Sequence, residues 1–276
     1  MPLNAIVAVL VAALFHAAWN LVVKSSGDRL VAATSQVVLA ALISLPFVIA
    51  RGIPTEVASF LAGSAVVQVV YLYALATAYN HADLSFVYPI ARGSAPVLIA
   101  FSALAGLSEP IAGRGWIALA LICGGVVAMG LAARSRRGLG WSLLTGLLIA
   151  TYITIDGRGV TRVDDVIAYT GSLYCATALL LIPVVLVTRG RQRVAETMTR
   201  EWGRHLFAGT AGVGSYGLLL YASRLAPLSL VAAARETAVV FAALGGWLFL
   251  GERVGRTRAA AVVFIALGMV VLAVTR

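Results

Sequence analysis

Two arginines stand in stretches where a charge is costly. Arg92 lies within LSFVYPIARGSAPVLIAFSALAGLSE and Arg235 within LSLVAAARETAVVFAALGGWLFLGE, both otherwise apolar enough to cross a bilayer. An ionised side chain near the bilayer centre costs at least ~2.5 kcal/mol, so such residues usually face a bundle interior or a wet cavity and mark a substrate path. Two guanidinium forks at matching positions suit bidentate capture of one anionic group, a carboxylate or phosphonate, in a way that lysine would not reproduce. Ser85, Tyr88, Arg92 and Pro96 follow one another at helical spacing and share a face. Pro89 and Pro96 each remove a backbone donor, so local unwinding beside a cavity is expected. In the first apolar segment His16, Trp19, Asn20 and Lys24 form one stripe, and with Tyr88 they are expected to shape the rest of the pocket. Neighbours on a helix point about 100° apart, so Arg235 and Glu236 must serve different partners. Glu236 is the candidate for proton coupling.

Other polar residues have weaker claims. Tyr152 and Asp156 share a face of the sixth segment, with Asp156 near enough to its end to snorkel to water. Tyr71, Tyr216 and Tyr221 are candidate cavity hydroxyls, whereas Tyr79 suits the interfacial aromatic belt. Glu109 and Glu252 repeat but fall at segment ends, where a carboxylate favours the start of the next helix. Asp83, beside His81, suits an N-cap of the fourth segment. Cys123 and Cys175 lie in different apolar segments and read as small buried hydrophobes, giving neither a disulfide framework nor a metal site.

The elements that must position these residues are membrane helices. Of 276 residues, 61% are hydrophobic and 12% charged, against about 25% charged in soluble domains. Mean hydropathy is +0.96. Such a chain cannot cover a water-exposed surface. Ten apolar windows of spanning length recur, at about 3–23, 31–50, 57–80, 84–106, 114–133, 139–157, 166–187, 205–225, 228–250 and 257–274. They are too long for barrel strands, so the fold is an all-α integral membrane bundle of ten transmembrane helices. The first window has no basic residue before it and is longer than a signal-peptide core, so it is expected to stay in the mature chain.

The chain divides into residues 1–133, a basic connecting loop at 134–138, and residues 139–276. Leu84-Ser85 answers Leu228-Ser229, Arg92 answers Arg235, Glu109 answers Glu252, and Gly125-Val126-Val127 answers Gly268-Met269-Val270. Five helices per half is an odd number, so a duplicated half enters the membrane upside down, as in many secondary transporters. The net charge of +10 is scattered through short connections, with no separate soluble domain for nucleic acid. Connections after odd-numbered helices hold 13 Lys/Arg and the others, with the C-terminus, hold 6. By the positive-inside rule the odd connections face the cytoplasm and both termini lie outside.

Leu250-Gly251-Glu252-Arg253, followed by a helix ending in Gly268-Met269-Val270-Val271, resembles the end of an EamA domain of the drug/metabolite transporter superfamily. Leu107-Ser108-Glu109-Pro110 followed by Gly124-Gly125-Val126 is a looser copy. The resemblance covers essentially the whole chain. It implies two inverted five-helix EamA repeats whose fourth and ninth helices line a central cavity, and both termini in the cytoplasm, against the charge count. Tyr88-Pro89-Ile90-Ala91-Arg92-Gly93 with His16-Ala17-Ala18-Trp19-Asn20 is similar to a subgroup associated with phosphonate metabolism. The expectation is a multi-pass transporter of the inner (plasma) membrane, an exporter of a small anionic or zwitterionic metabolite, needing no cofactor or metal. Gly93, Gly245 and Gly246 would let moving helices approach and slide. A membrane-embedded enzyme acting on a lipid or small substrate is the rival. It lacks HExxH, GxSxG, Walker and CxxC motifs, and its histidines are scattered. A channel is disfavoured because the intramembrane polar residues occupy a few paired positions and form no stripe along a pore.

Overall fold

The computed structural model describes residues 1–81, 84–102, 105–106, 109–111, 113–131, 138–241 and 255–274. Asp83, Glu252, Gly245, Gly246 and the basic run at Arg134, Arg136 and Arg137 lie outside the described residues, as do the side chains of Lys24, Tyr79, Ser85 and Tyr88. Every regular element among the described residues is helical: α1 (Leu3–Lys24), α2 (Arg29–Arg51), a 3₁₀ turn (Thr55–Val57), α3 (Ala58–His81), α4 (Leu84–Ser102), α5 (Arg114–Leu131), α6 (Leu139–Val160), α7 (Val166–Arg189), α8 (Arg191–Arg200), α9 (Trp202–Ser223), α10 (Leu228–Arg235) and α11 (Arg256–Val274).

The polarity runs inside out relative to a water-soluble bundle. Leu42, Ile49, Leu147, Leu179, Val187, Phe207 and Val263 point outward, while His16, Arg92, Asp156, Arg235 and Glu236 are buried. Among the described residues five helical stretches are individually long and apolar enough to span a membrane: 3–23, 29–51, 55–75, 139–160 and 166–189. The protein is a multi-pass membrane protein. The ten-residue α8 was not expected, because the stretch reads as a basic connection. It is too polar to give a hydropathy signal, and local pairing such as Gln192 to Glu196 at 2.8 Å supports it.

Packing is pairwise and reciprocal. α2 packs on α7, α5 on α11, α1 on α9, α3 on α6, and α4 lies against α5, α6 and α10. α2 and α7 are built to one plan. Asp28 caps α2 by accepting from Leu30 N and Val31 N, and Asp165 caps α7 by accepting from Ile167 N and Ala168 N. Each helix contains one proline, Pro46 or Pro183, and ends on an arginine and then a glycine at φ +82° or +80°, a left-handed conformation that glycine adopts without strain. The capping carboxylates also bind across: Asp28 meets Arg189 at 3.1 Å and Asp165 meets Arg51 at 2.6 Å. Each end of the α2–α7 seam is therefore latched by an Asp–Arg pair.

The α5–α11 seam is reciprocal too. A Cβ on Gly125 would stand 3.2 Å from Ala261 O, and one on Gly268 would stand 3.1 Å from Ala118 O and 2.5 Å from Ile122 Cγ1. Gly93 likewise lets α4 approach α5, since its Cβ would meet Val127 Cγ2 at 2.7 Å. These small residues bring backbones close, as membrane helix packing favours.

Candidate functional site

The site is built around a break in a helix. α10 begins after Pro227 and ends at Arg235, and Glu236 and Thr237 form a tighter turn. There Glu236 N donates to Ala233 O at 2.9 Å and Thr237 N to Ala234 O at 3.2 Å, before helix resumes at Ala238. The switch to i→i+3 bonding offers two consecutive charged residues to different neighbours. Interrupted helices of this kind recur at the substrate sites of transporters.

Glu236 points to α4. Arg92 Nη2 donates to its Oε1 at 2.8 Å and Arg92 Nε to its Oε2 at 3.2 Å, a bidentate pair only 5% and 4% exposed. Arg92 is thus held by an internal carboxylate in this conformation. Arg235 points the other way, to α1 and α9. Its Nη2 donates to His16 Nδ1 at 2.8 Å and to Ser215 Oγ at 3.3 Å, and its Cζ stands 5.8 Å from the centre of the Tyr216 ring. A guanidinium has no acceptor, so His16 Nδ1 must accept and the imidazole proton sits on Nε2. Arg235 Nε is buried with no hydrogen-bond partner among the described residues. An unpaired buried donor on a cation is costly, and it marks where an acceptor belongs.

The other expected pocket residues divide. Trp19 meets the His16 ring edge-on at 5.0 Å and so braces it. Asn20 donates to the carbonyl of His16 at 2.8 Å, back onto its own helix. Tyr71 and Tyr152 pack together at 5.5 Å, with Tyr216 at 6.2 Å from Tyr152, an aromatic wall between α3, α6 and α9. Tyr221 is exposed, and Glu109 is exposed in the connection before α5. Asp156 does not snorkel. It is fully buried and accepts from Ser64 Oγ at 2.8 Å, Tyr169 OH at 3.0 Å and Tyr216 OH at 2.5 Å. Sequence reasoning missed Ser64, Tyr169 and Ser215. A serine on an apolar helix carries no signal until a partner helix is set against it.

A cavity of about 230 Å³ opens beside this region, lined by Gly106, Glu109, Gly157, Arg158, Thr161, Ser223 and Leu228. Its lining includes neither Arg92 nor Arg235, each 4% exposed. The conformation is closed over both arginines. No group of histidine, cysteine, aspartate and glutamate among the described residues is arranged to hold a metal.

Residues 136–274 match the family model of the EamA-like transporter family. No curated protein matches the chain. Among solved structures, a crystal structure of a protein at 17% identity aligns with a TM-score of 0.78, covering 99% of this chain and 98% of that one, which establishes a shared fold.

Proposed function

Because the chain belongs to the EamA-like transporter family, we propose that it is a secondary transporter that moves a small anionic or zwitterionic metabolite by alternating access. The observation that carries this reading is Arg235, a buried guanidinium with, among the described residues, Nε unpaired and no carboxylate hydrogen-bonded to it. Its environment lacks one acceptor of negative charge. An anion supplies that acceptor and forms a charge-assisted bond in a dry site. Arg92, matched to Arg235 in the sequence, joins the same anion once Glu236 lets go, so Glu236 acts as the internal stand-in that holds Arg92 between substrates. For a zwitterion, the freed Glu236 carboxylate is positioned to take the cationic end. His16 and Trp19 set the orientation of Arg235, and Tyr88 and Asn20 are assigned to the site from their positions in the sequence alone.

The architecture proposed is ten spans in two inverted five-helix repeats. Support comes from the reciprocal α2–α7 latches, from glycines Gly125 and Gly268 each seated on the partner helix, and from the equivalence of the α1–α9 and α3–α6 pairs. In such a repeat the two halves exchange conformations to open the site to either side. Export across the inner (plasma) membrane is the proposed direction and place.

The test is uptake of radiolabelled methylphosphonate and of glutamate into sealed proteoliposomes, followed under counterflow. Saturable flux of either, chemically unchanged, is expected from the wild type. Arg235→Lys should lose on the order of a hundredfold in affinity, the magnitude for truncating one partner of a buried charge contact, while Glu109→Gln transports normally. Normal transport by Arg235→Lys, or recovery of a chemically altered product, overturns the reading.

A further inference from the structure

Asp156 is a second buried carboxylate whose surroundings differ in kind from those of Glu236. Its three donors are the hydroxyls of Ser64 on α3, Tyr169 on α7 and Tyr216 on α9. Among the described residues no cation pairs with it. Glu236 instead faces a guanidinium, which can only donate. A hydroxyl both donates and accepts, and its hydrogen rotates. Ionised, Asp156 accepts three O–H bonds. Protonated, it gives its own proton to one of the same oxygens, and Ser64, which already accepts from Gln68 Nε2 at 3.1 Å, keeps a further lone pair for it. The same oxygens can therefore bond Asp156 in either protonation state, with a hydroxyl hydrogen turning away when Asp156 donates.

Tyr216 ties this carboxyl to the substrate arginine. Its hydroxyl binds Asp156 and its ring lies under Arg235. Among the described residues the other ionisable groups near Asp156 are phenols: Tyr152 on α6 itself, Tyr174 on α7, and the donors Tyr169 and Tyr216, a group whose ordinary pKa is about 10. The charged groups of α4 and α10 are Arg92 and Glu236, which cancel each other, and Arg235. His16 on α1 accepts from Arg235 and takes no proton at Nδ1 while that bond stands. With Asp156 ionised, the buried set of two arginines and two carboxylates is formally neutral. Protonation leaves one positive charge, centred on the arginine that lacks an acceptor.

We propose that Asp156 is the proton-carrying site of this transporter and that it binds its proton together with the anion at Arg235. The proton comes from water and returns to water. Along α6, Asp156 is followed directly by Gly157 and Arg158, which line the cavity together with Glu109, Thr161 and Ser223. This inference rests on the anion-transport reading, and linkage makes it reciprocal: an anion raises proton affinity by the factor by which a proton raises anion affinity.

Two measurements on the full chain in lipid nanodiscs test it. Infrared difference spectra taken while pH is lowered should show a protonated-carboxyl C=O band that appears in the wild type and is missing in Asp156→Asn. Binding of methanesulfonate, an anion whose charge does not change with pH, should be about tenfold tighter in mild acid than in mild base. In Asp156→Asn it should be pH-independent and as tight as the acid limit. A band that survives Asp156→Asn, a band present at every pH, or pH-dependent binding retained by Asp156→Asn overturns the proposal. If the band titrates and depends on Asp156 while methanesulfonate fails to bind at any pH, the proton site stands and its coupling to an anion at Arg235 is overturned. Should Asp156→Asn not fold, Tyr216→Phe keeps the carboxyl and removes one donor; a displaced band midpoint is expected, and an unmoved one overturns the proposal.

Discussion

The Arg92–Glu236 pair makes a quantitative prediction about how α4 is held to α10. The fork makes one short bond of 2.8 Å and one longer bond of 3.2 Å, and neither side chain is more than 5% exposed, so water cannot readily replace a lost partner. In Glu236→Gln the amide oxygen still accepts one bond, but the amide nitrogen turns a donor against a donor and Arg92 loses the negative charge of Glu236. Breaking a buried pair from one side costs about 3–5 kcal/mol. Arg92→Met should cost a similar amount, because it strands the carboxylate instead. Replacing both, as Arg92→Met with Glu236→Leu, removes both charges together, and such replacements run from neutral to stabilising by about 1–4 kcal/mol. The double variant should therefore be more stable than either single one, with a coupling above the roughly 0.5–3 kcal/mol of ordinary touching pairs. The assay is unfolding of purified protein by sodium dodecyl sulfate titrated into mixed micelles, followed by helicity. A double variant whose loss equals the sum of the two single losses refutes the reasoning, since the ion pair would then contribute nothing as a pair.

Two further expectations concern the seams. Gly268→Val puts a branched side chain where a Cβ alone would lie 2.5 Å from Ile122 Cγ1 and 3.1 Å from a backbone carbonyl; overpacking should destabilise by about 1–3 kcal/mol in the same titration, and Gly124→Val, which faces open space, should not. At the membrane surface, partial burial opposes the charged form of Asp165, but the bonds from Arg51 and the Ala168 and Ile167 N–H groups outweigh it and hold the carboxyl below the usual aspartate range. A depressed folded-state value means the stabilisation is present above the ordinary aspartate pKa and lost as pH falls through the folded one. Asp165→Ala should lower stability by about 1 kcal/mol at neutral pH, and its melting temperature should converge on the wild type's in strong acid.

What could be read in the sequence was what depends on one residue's transfer cost. Arg92, Arg235 and Glu236 announce themselves because charge in an apolar window is expensive, and long apolar windows mark helices regardless of what they pack against. Their partners could not be read, because a partner is set by the neighbouring helix: Ser215, Ser64 and Tyr169 acquire meaning only once α9, α3 and α7 are in place. Asp156 was visible and misjudged, since nearness to a helix end suggests water, whereas α3, α7 and α9 close over it. The repeat was legible in Arg92 and Arg235 but went unread in α2 and α7. There Asp28, Pro46, Arg51 and Gly52 answer Asp165, Pro183, Arg189 and Gly190. Each is an ordinary capping or turn residue that reads as local punctuation. The break after Arg235 carries no proline or glycine to announce it, in contrast to α4, whose prolines suggested unwinding and whose helix runs on to Ser102.

The α2–α7 latches also govern how the molecule comes apart under load. A helix pair joined at one end unzips from the other, one turn at a time and at low force. Here an ion pair closes each end, and in each the carboxylate also caps its own helix. Peeling from either end must first break a cross-link and free a helix start together, so the pair resists extraction as a two-ended clamp and yields by shear of the whole seam. The ion pairs are partly exposed and add only roughly 0–1 kcal/mol each, so any resistance at an end of the seam comes from losing the cross-link and the helix cap in one step.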